Sequence, residues 1–303
     1  MFRILCAFGK RYKTLTNEYV MKKVVYLLIL CFTILVGCET IDLIPNTKYA
    51  FSVSEKEKIV FAPGNLQYVV SEDKWQFAED QLSYIGKRNF KNPTKIEMYS
   101  GWVSETDALG DTIDMFGWGT GNNPTLISQT SNDFESFVDW GKNKIGDYDE
   151  NVWRTLTQEE LNYLMNKRKD AILLRGIAQV CGVNGLLLLP DNWVCPKGVV
   201  FFPGYYGWEG SNFYAEHQSF GEKEWKLLEQ SGAVFLPAVG VRMKYDFCEI
   251  VAIQSNGAYW TSSIYEYDNS YSSTLSFGSN RIPYESIHRK HNGLSVRLVR
   301  TLK

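Results

Sequence analysis

Histidine is scarce in this chain: His217, His288 and His291 are the only three among 303 residues. His288 and His291 stand at i, i+3, but Arg289 and Lys290 lie between them and no acid or cysteine nearby completes a metal set. They are read as loop histidines in solvent, and no metal or other cofactor is expected. The chain has no Gly-x-Ser-x-Gly elbow, no Gly-Lys-Ser/Thr phosphate loop and no His-Glu-x-x-His pair. The usual hydrolase, nucleotide-binding and zinc-protease signatures are therefore missing. Glu159 and Glu160 read as helix-capping residues and Asp191 as a turn residue, so neither is assigned to a glycosidase pair, and the chain is read as non-catalytic. No segment is low in complexity or internally repeated. No apolar run reaches the ~20 residues that span a bilayer.

The longest apolar run, Val24–Val36, has thirteen residues; it follows Met21-Lys22-Lys23 and ends in Leu35-Val36-Gly37-Cys38. A short basic segment, an apolar core of ~7–15 residues and small residues before a cleavage point describe a secretory signal. Cys38 just after it resembles the lipobox of bacterial lipoproteins, in which this cysteine becomes the acylated first residue of the mature chain. The expectation is an upstream extension plus signal over 1–37 (the signal itself 21–37), a lipid-anchored tether over 38–50 and a single domain over 51–303. Within that domain, 51–110 is a candidate β-rich appendage. The implied location is the cell envelope, as an outer-membrane lipoprotein on either of its faces.

Removing 1–37 changes the electrostatics. Six of the 32 Lys/Arg and one of the 34 Asp/Glu lie there, leaving 26 basic and 33 acidic residues and a formal charge of −7. Such a surface opposes binding to nucleic acid and to anionic lipid. Cys6 and Cys31 leave with the signal, and Cys38 would be lipidated. Cys181, Cys195 and Cys248 remain, which permits one disulfide at most. Asn184-Gly185 suits a type I′ hairpin turn. A 181–195 bridge would then need a reversal near Pro190-Asp191, and three buried thiols are expected instead.

Strands are expected at Lys58–Phe61, Leu66–Val70 and Trp75–Ala78 around the turn residues Pro63-Gly64-Asn65. Asp114–Gly121 is too rich in glycine for a helix and reads as a packed aromatic loop. Thr157-Gln158-Glu159-Glu160 is a capping box, with Leu156 and Leu161 as its hydrophobic staple. A second helix is expected at Glu222–Gln230, ended by Gly232. Ile172–Gln179 with Leu186–Leu189 read as a hairpin, and Ala258–Ser262, Thr274–Phe277 and Ser295–Val299 as strands. Two main helices among short strands give an α+β class.

Five blocks then become recognisable: Trp153–Thr157 with Glu160 and Leu164, Leu188–Trp193, Gly232–Ala238, Gly257–Ser263 and Gly293–Arg300. In order over roughly 58–300, they resemble the secreted bacterial paralogous domains of the FISUMP type. That resemblance implies a C-type-lectin-like fold, which also hosts formylglycine-generating enzymes. Those enzymes use a copper-binding cysteine pair near the C terminus, whereas Cys248 is the only cysteine beyond 195. The Glu-Pro-Asn and Trp-Asn-Asp tripeptides of calcium-dependent lectins are absent, and Trp260 is followed by Thr-Ser-Ser. Trp153, Trp193 and Trp260 read as core anchors, and Arg297 and Arg300 as partners of loop carbonyls or acids.

Residues 259–292 hold five Tyr, eight Ser and three Asn, 16 of 34 positions from three residue types. Antibody paratopes use the same mixture, because Tyr supplies contact area at low entropic cost and Ser and Asn supply adaptable hydrogen bonds. A solvated loop is the plain alternative. As a binding surface, its members are Tyr265, Tyr267, Asp268, Asn269, Tyr271, Asn280, Arg281 and Tyr284, with Pro203–Trp208 as an accessory loop. The sequence thus points to a membrane-anchored protein that binds a glycan or a protein. A structural or accessory subunit of an envelope complex is the rival reading.

Overall fold

A computed structural model describes residues 49–84, 103–104, 111–205, 213–244, 248–279, 281–282 and 286–302, all within one compact unit, Thr47–Lys303. Its strands are β1 (Phe51–Ser52), β2 (Lys58–Phe61), β3 (Leu66–Val69), β4 (Lys74–Phe77), β5 (Val103–Ser104), β6 (Thr112–Ile113), β7 (Arg175–Val180), β8 (Val183–Leu188), β9 (Ser219–Phe220), β10 (Val234–Pro237), β11 (Val241–Lys244), β12 (Cys248–Val251), β13 (Asn256–Ile264), β14 (Tyr271–Gly278), β15 (Ser286–Arg289) and β16 (Val299–Thr301). The helices are α1 (Gln158–Asn162), α2 (Phe213–His217) and α3 (Glu222–Gln230).

This corrects the expected α+β class with two main helices. The described residues are mostly β, with 36% strand against 15% helix, and all three helices are short. The strands form one four-stranded and four three-stranded sheets. The physical reason is visible at α1. Its capping box forms as expected, with Thr157 and Glu160 exchanging side-chain to backbone bonds. After five residues the chain widens into a π turn over Tyr163–Lys167. There the Arg168 amide bonds the Tyr163 carbonyl, while the Arg168 Nε takes the Leu164 carbonyl at 2.8 Å. That carbonyl is the one an α turn would have given to the Arg168 amide. The guanidinium goes on to Asp191 at 3.2 Å, and the helix ends.

The expected turn at Asn184-Gly185 is also corrected. The hairpin of β7 and β8 turns at Cys181-Gly182, both with positive φ (48° and 81°), the type I′ pattern. Asn184 and Gly185 lie inside β8. The Asn184 amide and its side chain bond Gln254. Gly185 is glycine because a Cβ there would sit 2.4 Å from the Phe235 ring on neighbouring β10. Cys181 and Cys195 are exposed rather than buried, because the turn carries the first and the loop after Trp193 carries the second.

The sheet β10-β8-β7-β9 separates two cores. Alternation along its strands sends Ile177, Leu186, Leu188, Val234 and Leu236 to one side, with Leu161, Leu164 and Phe277. It sends Ala178, Val180, Val183, Leu187 and Phe235 to the other, with Trp225 and Leu228 of α3. A third core gathers Trp75, Trp118, Trp140, Trp153 and Trp260 around Phe116. Strand β2 pairs with β1 on one edge and with β16 on the other, so the N-terminal strands share a sheet with the C-terminal one.

Gly185→Ala should lower stability by about 1–3 kcal/mol, because the added methyl overpacks the contact between β8 and β10. Gly146→Ala meets open space at φ 57° and should cost less, mainly through backbone strain. Denaturant unfolding of the two variants checks the order.

Candidate functional site

The C-terminal sheet β13-β14-β15 builds the site. Its hairpin tip closes through short-range bonds. The Asp268 carboxylate accepts from the Ser270 amide at 2.8 Å, and the Asp268 carbonyl accepts from the Tyr271 amide. This is an Asx-type turn. It leaves the Tyr265 and Tyr267 rings edge to face at 5.3 Å, with Tyr267 79% exposed.

Lys290 holds the tip from below. Its side chain is fully buried, its Nζ donates to Asn269 Oδ1 at 2.9 Å and lies 4.4 Å from the Trp118 ring centroid. Its backbone amide bonds the Ser270 carbonyl, and its carbonyl accepts from the Trp118 amide. Burial pushes the ammonium below its ordinary pKa, opposed by the charge of Glu135. The Trp118 indole donates to the Thr261 carbonyl at 3.0 Å. The tip is thereby braced on the tryptophan core.

Beside the tip lies a cavity of about 160 Å³ lined by Met243, Tyr271, Ile287, His288, Arg289, His291 and Asn292. The register of β14 and β15 sets Tyr271 opposite Arg289 and Ser272 opposite His288. The Arg289 guanidinium lies 5.3 Å from the Tyr271 ring centroid, within cation–π range. Burial pushes His288 down to about 4. Burial, then the charge of Arg289, lowers His291 as well. Both rings are neutral at pH 7.

The tautomer of His291 follows from its neighbours. Ser131 Oγ donates its one hydrogen to the Ser270 carbonyl at 2.7 Å, so the 3.1 Å contact between Ser131 Oγ and His291 Nδ1 must be donated by the imidazole. The proton therefore sits on Nδ1, and Nε2 is an acceptor. The expectation of solvated loop histidines is thus corrected: the strand β15 and the turn after it carry both rings into a partly enclosed wall.

The expected binding residues do not converge. Tyr265, Tyr267, Asp268 and Asn269 share the hairpin tip, and Tyr271 lines the cavity. Asp268 and Asn269 are spent on holding the turn. Arg281 is exposed and bridges to Gly278, at the far end of the eight-residue β14; at ~3.3 Å per residue that is over 20 Å away. Asn280, Tyr284 and Cys38 lie outside the described residues, as do 206–208 of the accessory loop. Tyr205 is half exposed beside Gly204, which bridges to Gly176 of β7; it does not line the cavity. The residues not foreseen are Met243, Ile287, His288, Arg289, His291 and Asn292. The signal available for them was the alternation within Ser286–Arg289, a strand pattern hidden by the polar letters around it.

Other expected roles are visible elsewhere. Trp153 and Trp260 are buried, and Trp193 packs edge-on against Phe201. Glu160 caps α1 and forks to Arg154 at 2.6 and 2.8 Å. Asp191 takes Ser52, Lys58 and Arg168; these partners outweigh burial and hold its carboxyl below the usual range. Among the described residues no three His, Cys, Asp or Glu side chains gather as a metal set, and no helix is long and apolar enough to cross a membrane.

No family model, no curated protein and no solved structure matches the chain. The FISUMP resemblance rests on its five sequence blocks alone.

The depressed His288 makes stability pH-dependent. The unfolded imidazole takes a proton near pH 6.5 and the folded one near pH 4. Between those values the unfolded state binds more protons, so stability falls as pH falls, by up to about 3 kcal/mol. His288→Gln should flatten most of that slope, as urea unfolding at pH 7 and pH 4.5 would register.

Proposed function

We propose that this is a lipid-anchored protein of the cell envelope that catalyses no reaction and binds a glycan at the β13–β14 hairpin tip and the cavity beside it. Cys38, acylated after removal of 1–37, would hold it in the outer membrane. One observation carries the reading: an exposed Tyr267, edge-paired with the half-buried Tyr265, stands next to a small recess walled by Tyr271, Arg289, His291 and Asn292. Aromatic rings offer flat faces to sugar rings, and planar amide, imidazole and guanidinium groups meet hydroxyls in fixed directions.

The dimensions support a glycan over a protein partner. A recess of 160 Å³ falls below the ~300–1,000 Å³ of sites that enclose a drug-sized ligand. It suits one polar unit of a longer chain that runs on across the tyrosines. The brace from Lys290 and Trp118 supports the reading further, since a tip held in one conformation loses little entropy on binding.

The accessory-subunit reading draws on a different face. Ile172, Leu173, Val194, Val200, Phe202 and Tyr205 are all exposed apolar side chains near the start of β7 and the segment that bridges to it.

On a glycan array, Tyr265→Ala with Tyr267→Ala should reduce binding at least tenfold, and Tyr267→Ala alone should weaken it while the melting temperature moves by no more than about 2 °C, since an exposed side chain contributes little to folding. Undiminished binding overturns the assignment of the tip. A stoichiometric protein partner recovered by mild crosslinking, with no glycan bound, favours the accessory subunit. Cys38→Ala should shift the protein from the membrane to the soluble fraction.

A further inference from the structure

The cavity wall has an unusual charge for this chain. The chain carries more acid than base, yet none of the described residues that line the recess is a carboxylate. Arg289 is exposed at its edge and lies over the Tyr271 ring, 5.3 Å from its centroid. Among the described residues its guanidinium forms no ion pair. One further cation lies behind the wall. Lys290 is fully buried in the turn after β15.

We propose that this cavity is a subsite for a carboxylated sugar, a uronic acid unit of an acidic glycan, with Arg289 forking the carboxylate and His291 and Asn292 taking the ring hydroxyls. The inference rests on the glycan reading above and names the sugar class. The N–H donors of a guanidinium lie in its own plane, so an exposed Arg289 whose N–H groups are not taken by an ion pair among the described residues can give two parallel bonds to a carboxylate. The tautomer of His291 fixes an acceptor at Nε2, which suits a hydroxyl donor and would repel a second carboxylate oxygen. Asn292 offers both a donor and an acceptor.

Field and size agree with this assignment. Arg289 is an exposed positive charge at the recess in a chain with more acid than base, which draws an acidic ligand there. Lys290 need not touch the sugar; buried behind the wall, its charge favours an anion over a neutral unit of the same shape, offset in part by Glu135. About 160 Å³ accepts a single sugar-sized group, and the tyrosine tip beside it can carry the next unit.

The test is calorimetric titration of the full-length protein with trigalacturonate, with the neutral galactose trisaccharide and with inorganic phosphate. Trigalacturonate should bind at least tenfold more tightly than the neutral trimer, and the affinity should fall as salt rises. Arg289→Gln should remove at least tenfold of the uronate affinity without moving the melting temperature, and Arg289→Lys should restore only part, as a point charge in place of a fork. Equal binding of the acidic and neutral trimers, unaffected by Arg289→Gln, overturns the carboxylate assignment. If that binding is still lost in the Tyr265 and Tyr267 variants, the glycan reading survives. Phosphate bound as tightly as trigalacturonate overturns the sugar and leaves a bare oxyanion site. No binding by any probe overturns both readings.

Discussion

A buried guanidinium ties this structure together. Arg297 is 5% exposed and donates to Asn65 Oδ1 at 3.0 Å, to the Phe235 carbonyl at 3.1 Å and, at longer range, to the Ala62 carbonyl and Gln81 Oε1. Those acceptors come from the turn before β3, the segment after β4 and the middle of β10. Burying a charge costs several kcal/mol unless its donors are satisfied, and burial pushes this arginine down to about 10. Its acceptors are themselves engaged. Gln81 also bonds Ala233 and the Phe235 amide, and Asn65 reaches Tyr259, whose hydroxyl donates to the Pro237 carbonyl. Losing any one acceptor would strand the charge, so this network specifies how three sheets meet.

The candidate site sits at the periphery of that frame and inherits its order. The third core supplies Trp118, Trp118 supplies the face under Lys290, and Lys290 holds the hairpin tip. A ligand that orders a floppy loop loses affinity to entropy, whereas a tip fixed by a buried lysine and an indole does not. The cation–π pair of Arg289 and Tyr271 repeats the device at the surface, with the cation outermost.

Local chemistry was legible in the letters. The capping box at Thr157 and the helix Glu222–Gln230 form where their sequence signals lie, because caps and amphipathic spacing act within one or two turns. The glycine of Asn184-Gly185 was misread because its reason is distant: Phe235 on another strand fills the space of a side chain. The fold class failed for a related cause. Propensity extends α1 past Asn162, but Arg168 answers to Asp191 and withdraws a carbonyl from the helix. The tyrosine tip was visible as composition, while the cavity depends on the β14–β15 register, which pairs Tyr271 with Arg289 and is not encoded in either segment alone.

The pairing of β2 with β16 bears on how the chain is made. A ribosome extends a chain at ~5–20 residues per second, so Phe61 waits while nearly all of the domain is synthesised before Val299 arrives to pair with it. Arg297 arrives at the same late moment. The acceptors waiting for it stay hydrated until then, and the non-local closure is of the slow, high-contact-order kind. That delay leaves the chain without its central clamp until its last residues are made. Until then the chain is still in a form that can be threaded, and it locks only after its final strand has emerged.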